Sequence, residues 1–337
     1  MNRCTVRSSV LVLLTCSALA GCVQSSHAQE VTPVEAFGQI GHAAAQPSRA
    51  TSSPATFAAG DGRILAIQRE WAEEQDPARF EGMALAQQPF RFDQRTPRPV
   101  HAEQRPGRDP VYYFQDVRWR QTERPQGAKV GRKAYFTTVR VDPEKVRAAY
   151  FCMKPFAPKF AAGHGAILLE FAPGGFTSLD GEEASGCVIS YEAYLRVTQK
   201  YQMIAGEFSR KFRITYVVCT WRDFLMRSIQ FNGSVVKRWK LKLSQPELRK
   251  LARSIGRTVM EDHSRERYNT TRNSCITAAL ELIDSAVPPE RQTTKAWLGG
   301  LVINPGWALP VLADNVLRHQ GLIEGRKVTF SEVPPEK

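Results

Sequence analysis

The sequence predicts an α+β domain, a mainly antiparallel sheet packed by helices, carried behind a leader and a long polar tether. Three observations predict it. Short runs rich in aromatic and β-branched residues recur from Val111 onward, two amphipathic helical runs follow after Ser244, and residues 23–60 hold no sustained apolar period. The 337 residues are 42% hydrophobic and 23% charged, a globular composition that excludes a collagen-like, wholly disordered or polytopic membrane chain. Lys and Arg number 46 against 33 Asp and Glu, and the net charge of +13 favours an anionic neighbour without naming it. Seven cysteines are too few for a disulfide scaffold.

Met1 to Cys22 is a leader. Arg3 and Arg7 form a basic start, and Val10 to Ala20 is an apolar core too short to cross a hydrocarbon layer of about 30 Å as a helix. Leu19-Ala20-Gly21-Cys22 resembles the bacterial lipobox, in which the cysteine is lipidated and becomes the mature N-terminus. Val23 follows in place of the Asp that retains lipoproteins at the inner membrane, so the resemblance favours the periplasmic face of the outer membrane. Losing residues 1–21 removes two arginines and no acid, which leaves +11. Cys4 and Cys16 leave with the leader and Cys22 becomes the anchor. Cys152, Cys187, Cys219 and Cys275 remain, and in an oxidising periplasm two of them could pair.

The rest divides by composition. Residues 22–60, rich in Ala, Ser, Thr, Gln and Pro, read as anchor and disordered tether. Residues 61–109 read as a helix over Ile64 to Gln75 and an extended Pro- and Arg-rich connector, and 110–330 as the folded domain. VYYFQDVRWR (111–120) and AYFTTVRV (134–141) read as strands. Asp142-Pro143 reads as a cap and first residue of a helix running toward Cys152. Ala166–Phe171, Gly186–Tyr191 and Phe212–Cys219 read as short strands. Val235–Leu243 alternates, with Val235, Trp239, Leu241 and Leu243 facing in and Val236, Arg238, Lys240 and Lys242 facing out. Ser244-Gln245-Pro246-Glu247 is a capping box that opens a helix with Leu248, Leu251, Ala252, Ile255 and Val259 on one face. A second helix starts near Cys275 and stops at Pro288-Pro289.

The candidate chemistry is a histidine on a strand and a cysteine at a helix start. His164 stands between Gly163 and Gly165, which leave its ring uncrowded before the strand AILLEF. Cys275 opens its helix, where unpaired N–H groups and the dipole favour a thiolate. Base and thiol are the two parts of a thiol acyl-transfer site. A core cysteine and a turn histidine are the plain reading of the same residues. Glu192, one strand on, is a candidate to orient the imidazole, or a surface acid pairing with Arg196. Asn273 and Tyr268 are candidates to support an oxyanion beside the Cys275 N–H, and Asn273 or Ser274 can cap the helix. His263 and His319 have no partners at metal-ligand spacing, and no CxxC, HExxH or GxxxxGK[ST] occurs, so neither metal nor cofactor is expected.

GHGAILLEF followed by a distant NSC resembles the circularly permuted papain-like families, including the lecithin retinol acyltransferase relatives, in which His precedes Cys. More specifically, four blocks are similar to the Lnb N-terminal periplasmic domain family. They are FQDVRWR (114–120), AGHGAILLEF, VISYEAY (188–194), similar to its serine–x–glutamate strand, and YNTTRNSC (268–275) with GWALPVLADNVLRHQGLI after it. The resemblance spans about residues 110–323 and implies a permuted papain-like fold and lipid or lipoprotein acyl chemistry. Ser274 departs from it, standing where the family commonly has Asn.

Two functions follow. One is a membrane-anchored thiol-dependent acyl-transfer enzyme, with Cys275 as nucleophile and His164 as base, acting on a lipid or lipoprotein acyl group or a cell-wall amide. The other is a non-catalytic envelope lipoprotein that binds membrane or wall partners through a basic face. For that face, residues 205–257 carry 13 Lys and Arg against Glu207, Asp223 and Glu247. Nucleic acid is not expected as the partner of an exported protein.

Overall fold

A computed structural model describes residues 94–121, 134–156, 162–194, 212–261, 263, 266–270, 272–293, 297–298, 301–302 and 310–335. The leader with Cys22, the tether, the helix expected over Ile64 to Gln75, and Arg196 lie outside these.

The strands are β1 (Arg98–Glu103), β2 (Val111–Gln121), β3 (Ala134–Val141), β4 (Val146–Pro155), β5 (Gly163–Phe171), β6 (Phe176–Ser178), β7 (Gly186–Tyr194), β8 (Arg213–Thr220), β9 (Val236–Leu241), β10 (Trp297–Leu298), β11 (Leu301–Val302) and β12 (Ile323–Phe330). The helices are α1 (Trp221–Leu225), α2 (Gln245–Met260), α3 (Cys275–Ala286) and α4 (Ala313–His319). Ten strands form one sheet in the order β12-β9-β4-β5-β7-β8-β2-β3-β6, with β1 against β2, while β10 and β11 pair with each other. Among the described residues only the β2–β8 contact, at Arg118↔Cys219, is parallel; the other pairs are antiparallel. The architecture is therefore α+β and mainly antiparallel, as the sequence predicts.

Both faces of the central strands are buried. Along β5, Ile167, Leu169 and Phe171 enter the main core with α2 and α3, whereas Ala166 and Leu168 enter a second core with Cys152, Val188, Cys219, Phe224, Leu225 and Val236. Side chains of successive strand residues point to opposite faces, so parity assigns each one to a core. The capping box at Ser244 forms as expected, and α2 buries Leu248, Leu251, Ala252, Ile255 and Val259.

Three expectations need correction. Asp142 does cap a turn opening at Pro143, but the turn ends at Lys145 and Val146–Pro155 continues as β4. VRAAYFCM is β-branched and aromatic enough to pair with β5 and β9, and that tertiary pairing overrides a good helix start. Val236, expected to face out, is fully buried, because α1 and the π-turn Met226–Phe231 help to cover that side. The connector at 61–109 contains β1, whose Pro99 fits an edge position.

No disulfide forms among the remaining cysteines. Cys152, Cys187, Cys219 and Cys275 are all free and buried. Cys187 and Cys219 face different cores. Cys152 and Cys219 share a core but sit on β4 and β8, three strand spacings or about 14 Å apart, beyond disulfide reach.

Candidate active site

The thiol is placed by its helix. Ser274 is the N-cap of α3 and closes a capping box with Thr277, the Ser274 hydroxyl accepting from the Thr277 N–H and the Thr277 hydroxyl accepting from the Ser274 N–H. Cys275 is thus the first helical residue, 4% exposed. Its sulfur accepts from the Gly165 N–H at 3.4 Å and from the Tyr268 hydroxyl at 3.6 Å. The Cys275 N–H donates to that same hydroxyl at 3.3 Å. Glycine at 165 leaves room for α3, because a Cβ there would stand 2.5 Å from the Ile276 Cδ1, the tip of a side chain that would have to move. That close approach lets the start of α3 rest on the backbone of β5.

The histidine is placed by its strand. The Gly165 position faces α3, so His164 belongs by parity to the other face, with Ala166 and Leu168. Facing it on β7 are Ser190 and Glu192, again two residues apart. The His164 Nε2 lies 2.5 Å from the Ser190 Oγ, and Ser190 donates to the Glu192 Oε1 at 3.1 Å. Glu192 also accepts from the Arg227 Nη1 at 3.2 Å and the Gln94 Nε2 at 2.7 Å. Beside this array the Arg118 Nε and Asp223 Oδ2 form an ion pair of 2.5 Å, the two side chains 1% and 0% exposed. The hydrogen bonds of the Cys275 sulfur go to Gly165 and Tyr268; none joins it to the His164 ring among the described residues.

The electrostatics follow from burial and partners. Burial lowers the His164 pKa to about 4, against the pull of Glu192, so the ring is neutral at neutral pH. Burial alone would raise Glu192, but the Arg227 guanidinium, His164 and the Gln94 hydrogen bond hold it below the usual carboxylate range. Burial pushes Cys275 up, while the Gly165 N–H and Tyr268 hydroxyl pull it back. Cys219, without such donors, is pushed up to about 12, and burial drives Cys152 and Cys187 higher still. The resting pair is a neutral thiol and a neutral imidazole.

Among the residues singled out from sequence, Cys275 and Tyr268 are in contact, and His164 and Glu192 share one array. Asn273 is elsewhere: its amide donates to the Glu266 Oε2 at 3.2 Å and the Arg267 carbonyl at 3.3 Å. Glu192 is buried and paired with Arg227, not a surface acid. Sequence reasoning missed Arg227 and Gln94, and met Ser190 only as part of the serine–x–glutamate strand of the resemblance, with no role given to it. Ser190 was legible, because positions 190 and 192 share a strand face; Arg227 and Gln94 come from distant segments and leave no local signal. Among the described residues no three His, Cys, Asp or Glu side chains gather to hold a metal ion, and no helix is long and apolar enough to cross a membrane.

No curated protein and no solved structure matches the chain. The family model of the Lnb N-terminal periplasmic domain matches residues 133–304, just over half of the 337 residues, a span that holds His164, Ser190, Glu192, Arg227, Tyr268 and Cys275 while Gln94 falls before it. On that match the chain belongs to the Lnb N-terminal periplasmic domain family, and so to the cell envelope.

Proposed function

We propose that the protein is a periplasmic thiol-dependent acyl-transfer enzyme of papain-like design, with Cys275 as nucleophile and His164 as base. The observation that carries this is the Gly165 N–H bound to the Cys275 sulfur at 3.4 Å, on the residue directly after His164. Standard backbone dimensions then put the sulfur within about 6 Å of the His164 Cα. On this reading the thiol and ring close on each other when substrate binds, as hydrogen bonds at unliganded sites commonly tighten only with substrate.

In the reaction His164 takes the Cys275 proton while the sulfur attacks an ester or amide carbonyl. The Cys275 N–H and the Tyr268 hydroxyl, bound to each other at rest, turn to the oxyanion. Its collapse breaks the carbonyl bond to the alcohol or amine, which leaves with the proton from His164. An amine or water then attacks the acyl-cysteine, returning the thiol. Asn273 is not needed for the oxyanion, since Glu266 holds its amide. The family points to lipid or lipoprotein acyl groups as substrates, with a cell-wall amide as the runner-up.

We further infer that Cys22 is lipidated and anchors the chain at the outer membrane. Palmitate labelling of the full chain, lost in Cys22→Ala, tests the anchor. For the chemistry, the full chain is mixed with micelles of radiolabelled phospholipid and a diacylated lipopeptide. Transfer to the lipopeptide amine, passing through a hydroxylamine-sensitive label on Cys275, is expected. Full transfer by folded Cys275→Ser or His164→Ala variants would overturn the assignment. The alternative, a non-catalytic lipoprotein binding through a basic face, has less support. Arg227, Arg238, Lys240, Arg249 and Arg253 of the basic stretch are spent in ion pairs with Glu192, Glu170, Glu324, Glu144 and Asp109.

A further inference from the structure

Ser190 lies between the His164 ring and the Glu192 carboxylate, and counting protons gives it a role. Its Oγ is 2.5 Å from the His164 Nε2 and 3.1 Å from the Glu192 Oε1, whereas the His164 Nε2 and Glu192 Oε1 are 3.7 Å apart. The last distance is too long for a hydrogen bond, so the carboxylate reaches the ring through the hydroxyl. A serine hydroxyl has one proton to donate, and an ionised carboxylate can only accept. Glu192 is ionised here, since the Arg227 guanidinium and the Gln94 amide also point donors at it. The Ser190 proton therefore goes to Glu192, and its Oγ accepts from the ring, which places the ring proton on Nε2. A neutral imidazole carries one proton, so Nδ1 is bare. Among the described residues nothing hydrogen-bonds to that nitrogen.

We propose that Ser190 is a positioning residue that holds His164 in its Nε2–H tautomer, leaves Nδ1 to accept the Cys275 proton, and links the imidazolium so formed to the Glu192 charge. The second half rests on the thiol–imidazole reading above; the tautomer does not.

The test uses the full chain with ¹⁵N-labelled histidine, the His164 signals being assigned with His164→Gln. At neutral pH the wild type is expected to show a neutral His164 ring protonated at Nε2. Ser190→Ala is expected to show mixed tautomers, and its Cys275 is expected to react with iodoacetamide about tenfold more slowly, the size of losing one hydrogen bond to a charged group. Ser190→Thr, which keeps the hydroxyl, restores both. Wild-type tautomer and alkylation rate in a folded Ser190→Ala variant would overturn the proposal. A changed tautomer with an unchanged alkylation rate would uphold the hold on the ring and refute the His164–Cys275 pairing instead. If the Ala variant fails to fold, Ser190→Cys, close in size and a poor hydrogen-bonding group, takes its place in both measurements.

Discussion

The two faces of the sheet at β5 and β7 solve different problems. Beneath α2 and α3 the face is apolar, and Cys275 meets only neutral donors, the Gly165 N–H and the Tyr268 hydroxyl. On the other face, His164, Ser190, Glu192, Arg227, Arg118 and Asp223 form a nearly dry polar array. The thiol's side alone does not ionise it, because burial outweighs the two donors. The charge that could stabilise a thiolate–imidazolium pair is all on the histidine's side. The difference teaches that the proposed reactivity would depend on the backbone between the faces, at Gly165, and on the charged array staying intact.

Breaking the charged face has the largest expected effect. Asp223→Ala removes the carboxylate that pairs with the Arg118 guanidinium, 1% exposed. A loss of about 3–5 kcal/mol in urea unfolding is expected, while Arg118→Met combined with Asp223→Leu restores most of it. A single-variant loss under about 1 kcal/mol would show that the array does not depend on this pair.

Acid attacks the same face next. His164 stays neutral in the fold down to about pH 4, whereas in the unfolded chain it protonates near its ordinary 6.5. Between those values the unfolded state binds more protons, so stability falls as pH drops through the window, by about 3 kcal/mol at most. The depressed Glu192 adds to the loss below its ordinary range. His263, whose pKa is raised by its bonds to Glu266 and the Thr258 carbonyl against burial, acts oppositely; its contribution is lost as pH rises. Melting temperatures of His164→Gln against wild type across pH 4–7 check this, and a parallel pair of curves would refute it.

The junction between the faces is probed by Gly165→Ala. The new Cβ would meet the Ile276 Cδ1 at 2.5 Å, so that buried side chain must repack between α3 and β5. About 2 kcal/mol of destabilisation is expected, together with slower alkylation of Cys275. Labelling at the wild-type rate would show that the thiol does not need the Gly165 amide.

The apolar face gives the smallest effect. Tyr268→Phe removes one hydroxyl, the partner of both the Cys275 sulfur and its N–H, and about 1 kcal/mol is expected. The apparent thiol pKa, read from alkylation rate against pH, should rise by less than a unit. A fall would mean that the hydroxyl holds the thiol form.

Much of this was legible in the sequence, and the misses have physical causes. The Ser244 capping box and the apolar positions of α2 are local signals and stand as read. Asp142-Pro143 is an equally good local signal that loses to strand pairing beyond its turn, because the ladder contacts of β4 come from β5 and β9. Val236 misled because alternation separates the faces of a strand without saying whether the second face is wet. Asn273 was misplaced because adjacency to Cys275 along the chain says nothing about which way its amide turns.

By itself the sequence determined the α+β class, most strand positions and both long helices, and it named the residue types of the proposed thiol–imidazole site. Those depend on periodicity, capping and composition, which act over a few residues. Tertiary structure alone decided that β4 is a strand, that the far face of the sheet is a second core, and that the four thiols stay unpaired. It also decided that Ser190, Arg227 and Gln94 converge on Glu192. The physical reason is that hydrogen bonds and ion pairs between distant segments are set by the strand order of the sheet, which no local stretch of sequence encodes.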